Sequence, residues 1–268
     1  MEKFSYSDFE IFDSHAHIFP AKISEKATIN IGNFYGIPMM GIGSSEKLLE
    51  DGGKINTAKY LVCSTATVPE QTIPINNFIK EECAAHDKFF GFGTLHPDME
   101  NIADEVDRII SLGLHGIKIH PDFQKFNIDD KNAYKIYEAI EGRLPILIHM
   151  GDNRYTYSKP YRLARVMKDF PKLKAIAAHF GGYQCWEEAL DCLKGENLRL
   201  DTSSSLAFFD VEYARKLVQH YGVENLFFGV DFPMWKHNEE LERFFALGLS
   251  YEENRMILSE NFKKFLCD

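Results

Sequence analysis

Short apolar runs alternate with longer amphipathic segments along most of the chain. We identify eight such runs, each followed by a segment in which apolar residues recur with helical period. After the first gap the runs begin about every 25 to 30 residues. They cover residues 10–13, 59–63, 89–95, 116–119, 145–149, 173–178, 198–202 and 226–230.

Nearly continuous apolar strands that alternate with helices predict a parallel sheet covered by those helices. Eight such units in a chain of 268 residues are what a closed (β/α)8 TIM barrel requires. We therefore predict an α/β protein, with one TIM-barrel domain over residues 1–268. A doubly wound open sheet has less support, because no Gly-x-Gly-x-x-Gly pattern follows the first strand.

The segments between the runs have the pattern of core-facing helices. Within 101–112, Ile102, Val106 and Ile109 form one apolar stripe, and Gly113 stands where a helix C-cap is expected. Further helices are predicted over 130–140, 159–170, 210–221 and 251–266.

The first connection, from residue 18 to residue 57, is longer than a barrel loop and helix require. Its stretch 34–43 is rich in glycine and apolar side chains, which would be costly on a mobile surface loop. We interpret the connection as an extended loop after strand one. It serves either as a lid over the site or as a contact in a homodimer, and the sequence leaves both open.

Charge and composition narrow the range of partners. The formal net charge of −10 argues against nucleic acid or an anionic membrane surface as the main partner, because both require a basic face. The N-terminus has no secretory pattern, and no run reaches the roughly 20 apolar residues of a membrane span. The five scattered cysteines are typical of reduced thiols. We predict a cytoplasmic protein.

Residues that bind metals lie where several of the apolar runs end. His15 and His17 alternate along the first strand, so their side chains share one face about 7 Å apart. His149 ends a later run, and His179 and Asp231 directly follow two others. In a barrel the carboxyl ends of the strands meet at one mouth, where the active site lies. Nitrogen and carboxylate ligands of this kind suit zinc or another first-row divalent ion.

Five stretches of the chain place histidine or aspartate at or near the end of an apolar run. They are Asp13-Ser14-His15-Ala16-His17, Gly116-Ile117-Lys118-Ile119-His120-Pro121, the strand that ends at His149, His179-Phe180-Gly181-Gly182 and Gly229-Val230-Asp231-Phe232-Pro233. Together they resemble the successive signatures of the amidohydrolase superfamily. Within it the chain resembles the amidohydrolase-related branch, which includes aminocarboxymuconate semialdehyde decarboxylase and the resorcylate decarboxylases. The resemblance spans nearly the whole chain, and the branch contains both hydrolases and carbon–carbon lyases.

The resemblance implies one divalent ion, zinc first and manganese second, held by His15, His17, His149 and Asp231. It also implies that Asp231 acts as a base and that His179 transfers protons, polarises the substrate or ligates the metal. The function predicted first is hydrolysis of an amide, ester or lactone-type bond in a small molecule by a metal-activated water. The alternative is non-oxidative decarboxylation of an aromatic or unsaturated acid. A metal-holding barrel without turnover is disfavoured, because the ligand set is intact.

Four further residues are candidate contacts to a substrate, which we expect to be anionic if Lys118 or Arg154 binds it. Lys118 can face the pocket, pair within the protein or, as in some relatives, carry a carboxyl group that bridges two metals; we favour the first two. Arg154 either clamps a carboxylate or is a solvated loop residue. Phe19 and Trp235 either stack on a planar substrate or cap the barrel mouth.

Overall fold

The computed structural model describes residues 4–267, which form two compact units. The first unit comprises residues 4–62 and 202–267, and the second comprises residues 63–201. The strands, in chain order, are β1 (Phe12–His17), β2 (Lys59–Cys63), β3 (Phe89–Gly91), β4 (Gly93–Thr94), β5 (Ile117–Ile119), β6 (Ile146–Ile148), β7 (Ala175–Ala177), β8 (Leu198–Asp201) and β9 (Leu226–Phe227).

Helices follow most of the strands, as the alternation of patterns predicts. The helices are α1 (Ser24–Tyr35), α2 (Ser45–Gly53), α3 (Thr72–Ala85), α4 (Ile102–Ser111), α5 (Pro121–Gln124), α6 (Lys131–Ile140), α7 (Pro160–Asp169), α8 (Trp186–Cys192), α9 (Val211–Tyr221), α10 (His237–Phe245) and α11 (Tyr251–Arg255). Short 3-10 or π-helical turns complete the set at Tyr6–Asp8, Pro69–Gln71, His179–Gly181, Val223–Asn225, Met256–Glu260 and Lys263–Cys267.

The second unit is built on a parallel sheet. Strands β4 to β8 pair each with the next, so that Ile117 lies beside Ile146 and Ile146 beside Ala175. Every residue of β5, β6 and β7 is buried, as expected for strands with helices on one side and a core on the other. The predicted third strand is divided at Phe92 into β3 and β4.

Strand β1 is longer than its apolar run and includes both histidines of the His-x-His stretch. Its backbone lies beside the segment that follows β9, since Ser14 N donates to Phe228 O and His17 N donates to Phe232 O. Asp231 N in turn donates to His15 O. This pairing explains why polar residues continue the strand beyond the apolar run.

The connection over 18–57 is not an extended loop, because it contains the two helices α1 and α2. Helix α1 ends at Gly36 with a left-handed backbone, and the side chain of Ser44 caps α2 by accepting from Lys47 N. These end signals outweigh the weak apolar pattern of the segment. Ile23 and Ile29 of this region are 50% and 61% exposed. Its role as a lid or homodimer contact stays a prediction.

The remaining predicted helices differ from the structure mainly at their ends. The C-cap of α4 is Leu112 rather than Gly113, which follows it with a left-handed φ of 76° and prevents the helix from continuing. The helix predicted over 251–266 begins with a capping box at Ser250 but continues beyond Arg255 as π-helical turns. Within residues 4–267 no helix combines the length and apolar character that spanning a bilayer requires.

Candidate metal centre

Three of the predicted ligands converge in the first unit. Nε2 of His15 lies 3.6 Å from Oδ1 of Asp231, and Nε2 of His17 lies 3.3 Å from the same oxygen. A parallel bridge between Ala16 and Phe232 fixes this arrangement, because it sets the two ligand-bearing segments side by side. Asp231 itself has a φ of 62°, a left-handed conformation that a non-glycine residue adopts at some cost.

The spacing of these donor atoms fits a single divalent ion. Two atoms bound about 2.1 Å from one ion lie about 3.0 to 3.5 Å apart, for right-angled or tetrahedral arrangements. The two distances to Asp231 agree with this spacing to within a few tenths of an ångström. The donor set, two imidazoles and one carboxylate, is one that zinc and manganese accept. Residues able to hold a metal are therefore present in this unit.

Serines after β8 hold the outer atoms of two of these candidate ligands. Ser203 Oγ lies 3.0 Å from Nδ1 of His15, and a proton on Nδ1 directed at that oxygen leaves the lone pair on Nε2. Ser204 Oγ donates to Oδ2 of Asp231 at 2.5 Å. The inner atoms, Nε2 and Oδ1, are the ones that converge. Hydrogen bonds of this kind orient metal ligands in proteins.

Sequence reasoning did not identify these serines. The available signal was the run Thr202-Ser203-Ser204-Ser205, which directly follows an apolar strand at the end where the other candidate residues lie. Serine runs are common in loops, so the pattern alone has little specificity. The hydrogen bonds, rather than the residue types, reveal the role.

His149 and His179 meet in the second unit, one residue after β6 and two residues after β7. Nε2 of His179 lies 3.0 Å from Nδ1 of His149, and both side chains are buried. The backbone N of His179 donates to Asp201 Oδ1, and His179 has a φ of 62°. A separation of 3.0 Å suits either a hydrogen bond between the rings or two ligands of one ion.

A third group of ligand-type residues lies beside His149. Asp122 Oδ2 accepts from Ser158 Oγ and lies 3.7 Å from His149 Nε2, while Asp122 Oδ1 has no hydrogen-bond partner within residues 4–267. Burial raises the pKa of Asp122 to about 7. The rings of His120 and His149 are stacked, with centroids 3.8 Å apart and planes 10° from parallel. Lone pairs in parallel planes do not converge, so this group is a poor cation site despite its composition.

Trp235, one of the predicted substrate contacts, is linked to the candidate ligand Asp231 by hydrogen bonds through Ser204. Its indole N–H donates to Ser204 Oγ at 3.0 Å, and Ser204 in turn contacts Asp231. The Arg243 guanidinium lies 5.3 Å from the centre of the Trp235 ring, and Phe208 packs edge-on against it. These contacts fix the indole near Asp231.

Arg154, Lys118 and Phe19 have other neighbours. Arg154 pairs with Asp152 through two side-chain hydrogen bonds of 2.9 and 2.6 Å, and its side chain is 41% exposed. Lys118 is fully buried on β5. The ring of Phe19 lies against Gly43, where an added Cβ would come within 2.7 Å of it. A contact of any of the three with a substrate stays a prediction.

A family model described as Amidohydrolase matches residues 12–266. The chain belongs to the amidohydrolase family. This match confirms the family that the five stretches resemble, and with it the prediction of an enzyme of the amidohydrolase superfamily.

Solved structures share the fold of this amidohydrolase at low sequence identity. They include 5-carboxyvanillate decarboxylase LigW from Sphingomonas paucimobilis, with 16% identity and a TM-score of 0.75 over 97% of this chain and 99% of that one. An uncharacterised TIM-barrel protein from Bordetella bronchiseptica has 18% identity, a TM-score of 0.75 and the same coverage. A dihydroxybenzoic acid decarboxylase from Polaromonas sp. JS666, with bound manganese and the inhibitor 2-nitroresorcinol, has 13% identity and a TM-score of 0.74 over 97% of each chain.

The likeness covers almost the entire length of this chain and of each of these proteins. Because one of them is itself a TIM-barrel protein, the predicted (β/α)8 fold class is confirmed. At these identities the comparison bears on the fold, and the reaction has to be argued from the residues of this chain.

Proposed function

We propose that this amidohydrolase is a metal-dependent, non-oxidative decarboxylase of a hydroxylated aromatic carboxylic acid. The observation that carries the proposal is the convergence of His15 and His17 on Oδ1 of Asp231, in a fold shared with decarboxylases of carboxyvanillate and dihydroxybenzoate. Of the two reactions predicted from the sequence, this alternative is better supported than hydrolysis.

In this proposal His15, His17 and Asp231 hold one divalent ion, with His149 as a fourth ligand. The place of His149 in the set rests on the family motifs. Manganese is the first candidate, because the Polaromonas relative binds it, and zinc is the second. The ion would bind a substrate oxygen and stabilise negative charge on it. We further propose that residues 1–268 act as one catalytic domain.

Decarboxylation breaks the bond between the ring carbon and the carboxylate, and carbon dioxide leaves. The electron pair stays on the ring carbon, which then takes a proton. Both oxygens of Asp231 are engaged, Oδ1 toward the two histidines and Oδ2 by Ser204. We therefore assign the proton transfer to His179, whose buried ring has a titratable nitrogen 3.0 Å from that of His149.

Trp235 is the side chain best placed to contact a planar substrate. Its ring is held by Ser204 and Arg243, so stacking on an aromatic acid would cost little further ordering. Lys118, Arg154 and Phe19 are kept as weaker candidates for contact with the substrate.

The test begins with the metal content of protein purified without added metal. The protein is then assayed with 2,6-dihydroxybenzoate and 5-carboxyvanillate for carbon dioxide release, before and after treatment with a chelator. We expect wild-type protein to release carbon dioxide, the chelator to abolish this activity and added Mn²⁺ to restore it. Asp231→Asn should release none. Ser205→Ala serves as a folded control, because Ser205 donates to the carbonyl of Ser203 rather than to a candidate ligand.

Hydrolysis remains the second candidate function. It is favoured by one further solved structure of the same fold, a Pseudomonas putida protein assigned provisionally as a 2-pyrone-4,6-dicarboxylic acid hydrolase. In that reaction the family resemblance, rather than the hydrogen bonds of Asp231, makes this residue the base that would take a proton from water. Bound metal together with lactone hydrolysis and no carbon dioxide would replace the first proposal by the second. Protein that binds no metal would overturn both.

A further inference from the structure

A buried histidine of the first unit lies between two carboxylates. His237 begins α10 and is fully buried. Its Nδ1 lies 2.8 Å from Oδ2 of Asp51, and its Nε2 lies 3.0 Å from Oδ2 of Asp13. The backbone N of His237 also donates to Asp51 Oδ2 at 2.9 Å. Both ring nitrogens are therefore directed at acceptors.

Oδ1 of Asp13, the oxygen that does not contact His237, joins the two segments that carry the candidate ligands. Asp13 Oδ1 accepts from the backbone N of His15 at 3.0 Å and from the backbone N of Val230 at 2.9 Å. His15 is itself a candidate ligand, and Val230 precedes Asp231. One carboxylate thus connects the backbones on both sides of the donor set.

Helix α2 fixes the other end of this arrangement. Asp51 lies on α2, and its Oδ1 accepts from Lys54 Nζ at 2.6 Å. Hydrogen bonds from His237 and Lys54 lower the pKa of Asp51 despite the opposing effect of burial. Asp51 therefore stays a carboxylate that can hold the ring of His237. Through this contact the connection over 18–57 reaches the metal centre.

We propose that His237 is a positioning residue for the metal centre, which it serves by holding Asp13 and, through Asp13, the backbones of His15 and Val230. Asp51 orients the ring of His237 for this role. The inference rests on the metal-binding part of the proposed function and adds a residue that lies outside the ligand set.

His237 restricts the rotation of the Asp13 carboxylate. Its two backbone contacts are both made by Oδ1, so without His237 no contact holds Oδ2, and rotation about the Cβ–Cγ bond is less restricted. Oδ2 would also be left buried without its partner, which is costly for a charged group. Movement of this carboxylate changes the separation of His15 and Asp231, and metal affinity is sensitive to such outer contacts.

Two substitutions separate positioning from general stabilisation. In His237→Gln the amide nitrogen lies near the former Nε2 and can still donate to Asp13. In His237→Asn the amide nitrogen lies near the former Nδ1 and can donate only to Asp51. Both variants lose the imidazole, so a merely structural role predicts equal effects. Leu241→Ala, a buried change on the same helix, controls for loss of stability.

The experiment measures Mn²⁺ affinity by calorimetry and the EPR spectrum of bound Mn²⁺. Hydrogen exchange of the His15 and Val230 amides is measured in metal-free protein. We expect His237→Asn to weaken affinity by about tenfold or more, to alter the EPR spectrum and to speed exchange at both amides. His237→Gln should stay within about threefold of wild type, and Leu241→Ala should lower the melting temperature alone. Asp51→Ala, which removes the carboxylate that orients the ring of His237, should shift the same readouts in the same direction as His237→Asn and replaces that variant if it does not fold.

Each other outcome counts against the inference. Equal affinities in His237→Asn and His237→Gln, or affinities that follow the melting temperature, would overturn it and leave the proposed function intact. Wild-type protein that binds no Mn²⁺ or Zn²⁺ would overturn the proposed function together with this inference. Unchanged amide exchange in His237→Asn would show that Asp13 is held without His237.

Discussion

Ser204 donates a hydrogen bond to Oδ2 of Asp231, and the other oxygen of that carboxylate lies within 3.6 Å of both His15 Nε2 and His17 Nε2. The serine therefore determines which oxygen faces the donor set. Ser204 has a φ of 46°, so its loop adopts a strained conformation at the point where it contacts Asp231. Strain of this kind at a buried site is consistent with a positioning role.

Replacing Ser204 by alanine should weaken Mn²⁺ binding by about tenfold. Without the hydrogen bond from Ser204 the Asp231 carboxylate can rotate, and Oδ1 is then no longer held facing His15 and His17. Isothermal calorimetry measures the effect. Ser205→Ala is the matched control, since Ser205 lies in the same loop and donates to the carbonyl of Ser203. Equal affinities for the two variants would mean that Ser204 does not orient the carboxylate.

His179→Asn should lower kcat by about a hundredfold or more while Mn²⁺ still binds. The reason is that the proposal gives His179 the proton-transfer step, and such groups contribute roughly 10² to 10⁴ in rate. Steady-state kinetics and metal analysis of the same preparation make the test. Loss of about one equivalent of metal in this variant would instead identify His179 as a ligand, which its 3.0 Å separation from His149 also allows.

Much of the fold could be predicted from the sequence because the strands are buried on both sides. The run over 59–63 matches β2 residue for residue, and the other runs contain or overlap their strands. The helices α1 and α2 were missed because few buried apolar residues mark them: α1 buries none, and α2 buries Leu48. Of the twelve residues of α1, only Ser24 and Thr28 are buried, so no core-facing stripe marks the helix.

Only the residues of the candidate site that lie at the ends of predicted strands could be identified from the sequence. His15, His17 and Asp231 are visible because each lies just beyond the end of an apolar run. His237 begins a helix, where a histidine is unremarkable in sequence, and its importance comes from Asp13 and Asp51, residues 224 and 186 positions away. No local pattern encodes contacts between residues so far apart.

Arg154→Ala tests the predicted carboxylate clamp. Because Arg154 already pairs with Asp152, we expect KM to change less than about threefold. The free energy of unfolding should fall by roughly 1 to 3 kcal/mol, since the buried Asp152 carboxylate loses its charged partner. In the double variant Asp152→Asn/Arg154→Ala, much of that stability should return. A tenfold rise in KM with unchanged stability would instead support a direct contact with the substrate.

Glu240 makes the stability of the metal-free protein depend on pH. It is fully buried beside Arg243, and its Oε2 has no partner within residues 4–267. Burial raises its pKa from 4.5 to about 7, so the folded state binds the proton more tightly than the unfolded chain does. The stabilising contribution is complete below about pH 4.5 and is lost as the pH rises through about 7.

Glu240→Gln should remove this dependence, because the amide stays neutral at every pH. From urea unfolding at pH 4.5 and pH 8, we expect the stability of wild type relative to Glu240→Gln to fall by about 3 kcal/mol. Glu105→Gln is the matched control: Glu105 is also buried and pairs with an arginine three residues later, but both of its oxygens have hydrogen-bond partners. A difference between wild type and Glu240→Gln that stays constant with pH would mean that Glu240 is already ionised in the folded state, with Arg243 offsetting the cost of burial.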